Sequence, residues 1–334
     1  MDVATFGATC SPCSAQFIKN KNALKFAESH PRAVSAITDN HYVDDFLDSV
    51  DTVNEAVQLV EDVNKIHAAG GFKISKFRSS SSEVLAKLGV SMSDDSKSLT
   101  VDKQSGIERV LGMVWIPQAD VITFIPSTNF RNLDLRNGGM LPTKRQVLST
   151  VMSIFDPLGL VAHFVVHGKV LMQDVWRSGT TWDEPIADHL LDKWTRWVEM
   201  LEKLSDVKVP RCYFNVKSPH ALKDLQLHIF VDASEIAYSC VAYLRLEHRG
   251  TAVCALVAAK TKVAPLKPMS IPRLELQAAM IGARLAQNIG AALTLPLCRR
   301  VLWSDSATVL AWLRSDSRRY HQFVAFRVGE IRRS

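Results

Sequence analysis

Apolar residues recur every three or four positions in several stretches of the chain, and this period predicts amphipathic helices. The best marked stretch runs from 53 to 66. Thr52 and Glu55 are placed to form a capping box at its start, and Gly70 and Gly71 are placed to end it. Further helices are predicted at about 14–28, 143–155, 162–176 and 186–204.

The segment from 141 to 205 is predicted to be mostly helical. Thr143 and Gln146 fit a capping box, and Asp156-Pro-Leu-Gly159 ends the helix that they begin. The last of these helices carries a stripe of large apolar side chains, which favours a core position over a platform for stacking bases. The stripe consists of Leu190, Leu191, Trp194, Trp197 and Leu201, and the basic residues Lys144, Arg145, Lys169 and Arg177 are available as phosphate contacts.

Alternation of apolar and polar residues predicts strands elsewhere in the chain. In the first half, such runs occupy 72–77, 109–115 and 121–125. From Leu225 onward the pattern predicts three strands joined by polar turns, then a helix, a fourth strand and a second helix. These elements are predicted at 225–231, 238–246, 251–259, 273–292, 300–303 and 307–314.

Two adjacent carboxylates, Asp44 and Asp45, lie between apolar residues in the segment His41-Tyr-Val-Asp-Asp-Phe-Leu47. This pattern favours a β-hairpin that holds both aspartates at its tight turn. Like charges placed side by side are unfavourable unless something neutralises them, and a divalent metal ion is a common partner. Taken alone, an Asp-Asp pair also fits a solvated turn.

Three further acids stand at the ends of predicted elements in the last third of the chain. Asp232 ends the first strand of that region, Glu275 lies in the first turn of the long helix, and Asp305 ends the fourth strand. Hydrolysis of a phosphodiester by two Mg²⁺ ions needs several carboxylates that converge, and rigid element ends can aim them. Ser234 and Ser306 are expected to shape the adjoining turns.

The composition is that of a globular protein with room for two or three domains: 334 residues, 47% hydrophobic and 22% charged. A formal charge of +6 mildly favours a polyanionic partner. We find neither an apolar run long enough for a membrane span nor a signal peptide. The six cysteines are expected to be reduced thiols in an intracellular, cytoplasmic protein, since only Cys10 and Cys13 have metal-like spacing and no second pair completes a zinc site.

Several of these motifs resemble those of one class of mobile element. Tyr42-Val-Asp-Asp45 resembles the metal-binding turn of reverse transcriptases. Leu111-Gly-x-x-Trp-x-Pro117, Phe155-Asp-Pro-Leu-Gly159 and Trp182-Asp-Glu-Pro185 are similar to sequences of LTR retrotransposons of the Bel/Pao class, and of the Pao family in particular. From Leu225, three strands, a helix, a strand and a helix follow the core order of the ribonuclease H fold.

The resemblance implies an α/β (mixed α+β) polyprotein fragment in three parts. Residues 1–140 would be part of a reverse transcriptase palm and the start of its thumb, 141–222 a helical thumb and connection, and 223–334 a ribonuclease H-like domain truncated at its C-terminus. It also implies Mg²⁺ or Mn²⁺ as cofactor, and an RNA template, an RNA–DNA hybrid and other parts of the polyprotein as partners. The implied metal-binding and catalytic residues are Asp44 and Asp45 for the polymerase and Asp232, Glu275 and Asp305 for the ribonuclease H.

Both implied metal sites lack an acid in this sequence. Polymerases of this class use a further aspartate on an earlier strand, but Asp2 has no strand before it and Asp39 lies in the loop that enters the hairpin. Retroviral-type ribonucleases H use a fourth acid, and neither Asp316 nor Glu330 lies where that acid is expected. We therefore expect weak or absent cleavage.

Two other functions remain to be compared with the nuclease. A non-catalytic nucleic-acid-binding or assembly remnant of a degenerate or host-adopted element would keep the basic surface, because phosphate binding tolerates the loss of acids. An aspartic peptidase would need an Asp-Thr/Ser-Gly turn, which the chain lacks. The peptidase is therefore excluded for these residues.

Overall fold

The computed structural model of the chain describes residues 9–42, 45–74, 76–90, 108–110, 113–126, 139–214, 222–248, 250–293 and 295–333. It is a mixed helix and strand protein with open sheets, which confirms the predicted fold class. The chain forms two compact units, Met1–Ile122 and Thr123–Ser334. None of the described helices is both long enough and apolar enough to cross a membrane.

The first unit is a small helical assembly that carries the double-Asp hairpin. Its core contains Ala23, Val34, Ile37, Val63 and Ile66. The elements are α1 (Ser11–Leu24), α2 (Pro31–Asp39), β1 (His41–Tyr42), β2 (Asp45–Phe46), α3 (Val53–Ala69) and α4 (Ser82–Lys87).

The helix predicted at 14–28 differs from α1 at both ends. It begins three residues earlier, since a proline in the first turn suits a helix start, and it ends at Leu24. The helix α2 was not predicted, although Pro31 marks its first position. The apolar spacing of its nine residues did not by itself indicate a helix.

The predictions around α3 are partly confirmed. Thr52 and Glu55 form the capping box, and Gly70 follows the helix with Gly71 at φ +76°. The prediction of a strand at 72–77 is wrong. The described part of that segment, 72–74 and 76–77, is not in a strand. Phe72 instead packs edge-on against the His67 ring at a centroid distance of 6.1 Å.

The strand predicted at 109–115 is two strands. Glu108–Val110 forms β3 and Met113–Ile116 forms β4, paired antiparallel with Val110 opposite Met113. The alternating pattern runs through both strands, and residues 111 and 112 between them lie outside the described residues. The predicted strand at 121–125 is β5 (Val121–Thr123).

The second unit begins with three helices: α5 (Lys144–Met152), α6 (Ala162–Arg177) and α7 (Asp188–Glu202). Thr143 and Gln146 form the predicted capping box. The apolar stripe of α7 is buried as predicted, except that Leu191 is only half-buried. Trp197 stacks on Phe164 and lies so close to α6 that a Cβ on Gly168 would approach its ring to 2.7 Å.

A four-stranded sheet forms the rest of the unit, with strand order β10-β7-β8-β9. The outer strand β10 runs parallel to β7, and the other pairs are antiparallel. The long helix α8 covers one face of the sheet, where Gly282 lets it approach Val231. The elements are β6 (Val209–Pro210), β7 (Gln226–Ala233), β8 (Ala237–His248), β9 (Thr251–Val263), α8 (Ile271–Ala292), β10 (Arg299–Trp303), α9 (Ala307–Arg314) and α10 (Gln322–Ile331).

The turn predicted at Asp156–Gly159 packs on the edge strand β9. The Ala259 amide donates to the Leu158 carbonyl at 2.8 Å. Gly159 has φ +73°, and a Cβ there would lie 1.9 Å from the Ala259 carbonyl oxygen. The Asp156 carboxylate accepts from the amides of Leu160 and Val161. The helix α5 ends at Met152, three residues before the predicted end at 155, so the motif lies beyond the helix and covers a strand edge that would otherwise be open.

Candidate functional site

Two of the predicted acids lie at the same end of the parallel strands β7 and β10. The last pair between these strands joins Trp303 to Phe230. Asp232 follows Phe230 by two residues within β7, and Asp305 follows Trp303 by two residues, beyond the end of β10. Both side chains are exposed. This edge of the sheet is called the acidic edge below.

Glu275 reaches the acidic edge from α8. The helix begins at Ile271, with Pro272 in its first turn, so Glu275 lies in the second turn and not in the first as predicted. Its Oε2 atom accepts a short hydrogen bond from the hydroxyl of Ser306, the residue after Asp305. Glu275 is half-buried.

Ser306 joins three parts of the site. Its hydroxyl accepts from the Val309 amide at 3.2 Å, which caps α9, while donating to Glu275. Its own amide donates to the Ser304 hydroxyl at 3.3 Å. The side chain is 7% exposed. The sequence predicted a role in the turn but not the contact with Glu275, and a serine before an apolar helix indicates only the cap.

The turn after Asp232 is shaped by Ser234, as predicted. The Ser234 hydroxyl accepts from the amides of Ile236 and Ala237, and the Ser234 amide donates to the Ala237 carbonyl at 2.8 Å. Asp232 accepts from the Ala233 amide through Oδ1 at 2.7 Å. The β7–β8 hairpin therefore holds the backbone around Asp232 rigidly.

Two arginines flank the start of α8 on the side of α10. The guanidinium of Arg327 lies 3.6 Å from the centroid of the Phe323 ring, and that of Arg273 lies 5.3 Å from it. Arg327 also donates to Gln277 at 3.0 Å. Arg273 is exposed, two residues from Glu275.

The two acids that follow Asp305 are engaged away from the acidic edge. Asp316 caps a short 3-10 turn by accepting from the Arg318 amide at 3.0 Å. Glu330 accepts from Arg284 through both oxygens, at 2.5 and 3.0 Å, and this pairing lowers the pKa of Glu330. Arg284 lies nine residues along α8 from Glu275, or about 13 Å. Neither acid supplies a fourth carboxylate to the edge.

The acidic edge fits a hard divalent cation in the type of its donors. Asp232, Glu275 and Asp305 offer carboxylate oxygens, which Mg²⁺ prefers. The three side chains are not drawn together, however. Within the described residues, no group of three or more His, Cys, Asp or Glu side chains is close enough to hold a metal ion.

The double-Asp hairpin is described only in part. Tyr42 pairs with Asp45 and His41 with Phe46, and Asp44 lies outside the described residues. Asp45 therefore begins β2 and does not lie within the turn as predicted. Asp39, predicted in a loop, is the last residue of α2 and accepts from Ser35 at 3.1 Å. Asp2 also lies outside the described residues.

A group of basic side chains beside the hairpin was not predicted. The His41 ring stacks on His67 at a centroid distance of 5.1 Å, and the buried Lys19 ammonium donates to the Ile37 carbonyl at 2.7 Å. Burial, Lys19 and His67 together lower the pKa of His41 to about 4. Burial and Lys19 also lower the pKa of His67. No local sequence pattern indicates this group, because its members lie on three separate elements.

Two of the proposed phosphate contacts in the helical segment are engaged within the protein. Lys144 is buried, donates to the Thr180 carbonyl at 3.1 Å and lies 4.4 Å from the centroid of the Trp176 ring. Arg145 forms a two-pronged ion pair with Asp183 at 2.8 and 3.1 Å. Both side chains support the start of α5.

Comparison with known families identifies the second unit's matched region. Residues 143–306 match the family model of the Pao retrotransposon-like RNaseH-like domain. The matched region begins at the cap of α5, contains β7 to β10, and includes Asp232, Glu275 and Asp305. A comparison with curated proteins gives no match.

Proposed function

Because the chain belongs to the Pao retrotransposon-like family through the RNase H-like domain at 143–306, we propose that it is part of a polyprotein combining an RNA-directed DNA polymerase with a ribonuclease H. The proposed task of this part is to bind an RNA–DNA hybrid at the acidic edge. The observation that supports it best is that Asp232 and Asp305 each lie two residues after the last pair between β7 and β10, with Glu275 linked to the loop of Asp305 through Ser306.

The protein's contribution to hydrolysis would be the placement of oxygen ligands. Asp232 stands near the end of β7, Asp305 follows β10 by two residues, and Glu275 stands on a helix that packs across the same sheet. When bound by these three residues, Mg²⁺ or Mn²⁺ would supply activation of a water molecule and stabilisation of the leaving 3′-oxygen. The intact enzyme would cleave the RNA strand of the hybrid by this chemistry.

Exposed arginines would bind the phosphate backbone. Arg273 lies beside Glu275, and Arg318 and Arg319 are exposed in the turn before α10. The net charge of +6 favours such a partner. Other parts of the polyprotein are proposed as further partners.

The first unit would come from the polymerase. We assign 1–140 to the palm and the start of the thumb, 141–222 to the thumb and connection, and 223–334 to the ribonuclease H. Asp44 and Asp45 would be half of the polymerase metal site. Asp39, which ends α2 and accepts from Ser35, would not supply the further aspartate of that site. The protein would act inside the cell, in the cytoplasm.

Cleavage by this chain is expected to be weak. Neither Asp316 nor Glu330 reaches the acidic edge, and the three carboxylates are not gathered in the described structure. The same observations favour a second function, that of a nucleic-acid-binding or assembly remnant without catalysis. In that case the basic surface would bind while the acids remained unused.

Cleavage of a labelled RNA–DNA hybrid in Mg²⁺ or Mn²⁺ separates the two functions. The matched variants are Asp232→Asn at the edge and Asp188→Asn, an exposed aspartate in the first turn of α7. Slow cleavage that D232N abolishes and D188N retains would support the nuclease. Equal binding by all three proteins without cleavage would support the remnant, and absence of binding would contradict both.

A further inference from the structure

A cavity of about 210 Å³ lies where the end of α5, the turn after it and the first half of α6 meet the edge strand β9. Its polar wall consists of Asp156, Lys169, Lys260 and Thr261, and apolar side chains such as Met152 form the rest. All of these residues belong to the second unit. The cavity therefore combines two lysines and a hydroxyl with an apolar surface, and none of these residues has a role in the acidic edge.

The two lysines of the cavity are available to an anion. Lys144 and Arg145 on α5 are engaged within the protein, as described above. In contrast, the Lys169 ammonium neither donates a hydrogen bond to another described residue nor lies within 4 Å of a carboxylate among them. The same holds for the ammonium of Lys260, which is exposed on β9. Two such cations on one concave wall attract a negatively charged ligand.

The carboxylate of Asp156 does not cancel this attraction. Its Oδ1 and Oδ2 atoms accept from the amides of Leu160 and Val161 at 2.8 and 2.9 Å. Amides at the start of a helix carry partial positive charge, which offsets an anion placed there. Burial raises the pKa of Asp156, whereas these amides and Lys169 act in the opposite direction. With two lysines against one carboxylate, the lining of the cavity carries a net positive charge.

The strand pairing places one wall of the cavity level with Asp232. Asp232 pairs with Ser239, and Ser239 pairs with Thr261, so Thr261 lies two strands from Asp232, or about 10 Å. One strand of a nucleic-acid duplex advances about 3.4 Å per nucleotide along its axis, and it covers this distance in about three nucleotides. A strand that binds at the acidic edge can therefore reach the cavity.

We propose that this cavity binds a phosphate group of the nucleic-acid backbone, with Lys169 and Lys260 as the cationic contacts and the Thr261 hydroxyl as a hydrogen-bond donor. Lysine binds phosphate as a point charge, and a threonine hydroxyl can donate to a phosphate oxygen. The apolar part of the wall suits the sugar beside that phosphate. This inference rests on the function proposed above and adds to it a second point of contact with the nucleic acid.

The test is binding of a fluorescent RNA–DNA hybrid by the full chain across a salt series. Lys169→Gln combined with Lys260→Gln should weaken binding and lower the slope of log K against log salt by about 2, since each contact between a lysine and a phosphate contributes about 1. Arg196→Gln combined with Lys203→Gln removes two exposed charges on and just after α7, and it should leave the slope unchanged. Equal slopes in wild type and K169Q/K260Q would overturn the inference and leave the proposed function standing. A wild type that binds no hybrid would overturn both.

Acetylation of lysines in the wild-type protein, read by mass spectrometry, identifies the source of the phosphate. The hybrid should protect Lys169 and Lys260 and leave Lys203 reactive, whereas adenosine monophosphate or inorganic phosphate at the same phosphate concentration should protect neither. Equal protection by the hybrid and by either small molecule would show that the cavity takes a free phosphate, which would overturn the assignment to the backbone. Because this measurement uses the wild-type protein, it decides the inference even if K169Q/K260Q fails to fold.

Discussion

At the scale of single residues, protonation of His41 is expected to destabilise the first unit in acid. Its ring lies between Phe46 and His67, and the nearby Lys19 ammonium disfavours a second positive charge. The folded state therefore binds a proton on His41 only near pH 4, whereas the unfolded chain does so near the ordinary value of 6.5. Stability that is complete above pH 6.5 should fall as the pH is lowered towards 4.

His41→Phe should reduce this dependence on pH. We expect wild type to lose about 2 kcal/mol of unfolding free energy between pH 7 and pH 4.5 through His41, after allowance for partial exposure to solvent. H41F should lose less, because phenylalanine keeps the stacking but not the titration. Urea unfolding at the two pH values measures this difference.

His189→Gln is the matched control for H41F, since His189 is exposed in the second unit. It should retain the wild-type loss. Equal losses in H41F and wild type would show that another group controls the response to acid.

Gly168 carries a packing role that can be tested at a single atom. A methyl group there would meet the Trp197 ring at 2.7 Å, whereas one at Gly329 would meet nothing within 4 Å. Both glycines lie inside helices. Gly168→Ala should therefore destabilise the protein by about 1–3 kcal/mol, and Gly329→Ala should be neutral or slightly stabilising.

Chemical denaturation of the two glycine variants gives the comparison. A G168A protein as stable as G329A would mean that α6 and α7 can separate slightly without loss. The ring of Trp197 would then contribute less to holding these helices together than its burial indicates.

At the scale of elements, the turn from Asp156 to Gly159 joins the helical segment to β9. Gly159→Ala would place a methyl group on the Ala259 carbonyl and would strain a backbone with φ +73°. Gly179 has nearly the same φ, +75°, but open space around it. We expect G159A to destabilise by about 3 kcal/mol and Gly179→Ala by about 1 kcal/mol.

The difference between these two variants isolates the contact with β9 from the backbone strain that both share. Thermal unfolding under identical conditions is sufficient to measure it. A G159A protein no less stable than G179A would contradict the proposed role of the turn as cover for β9.

The elements from Leu225 onward could be predicted well because each has a long, regular pattern. The helix at Ala307–Arg314 was predicted to the residue, and the long helix α8 to within two residues at its start. The segment at 72–77 failed because an alternating pattern cannot show whether a partner strand is present. The helix α10 was missed, although its ten residues make it longer than α9.

The candidate site could be predicted by residue type but not by contact. The sequence placed Asp232, Glu275 and Asp305 at element ends, and the structure has Asp232 in β7, Glu275 in the second turn of α8 and Asp305 two residues after β10. The bond from Ser306 to Glu275 joins residues 31 apart in the chain. Local pattern carries no signal for such a pair.

At the scale of the whole molecule, the positive charge should govern affinity for nucleic acid. Arg318 and Arg319 are exposed and lie on the same turn. Replacing both with alanine should weaken binding of an RNA–DNA hybrid and lower the slope of log K against log salt by about 1–2. Fluorescence anisotropy across a salt series measures both quantities.

The double variant needs a control of equal charge. Arg196 and Lys203 are exposed on and just after α7, and their replacement removes the same two charges. An equal effect of both double variants would indicate that net charge alone, and not the turn before α10, determines binding.

The hydrogen bond from Ala259 to Leu158 also limits how the chain can be divided. Residues about 100 apart share one strand edge, so a cut near 222 would leave β9 with unpaired backbone groups that invite association with other chains. Recombination between related mobile genetic elements would face the same limit. A ribonuclease H sheet inherited without its own Asp156–Gly159 turn would need a replacement for it, and the two segments are therefore expected to be inherited together.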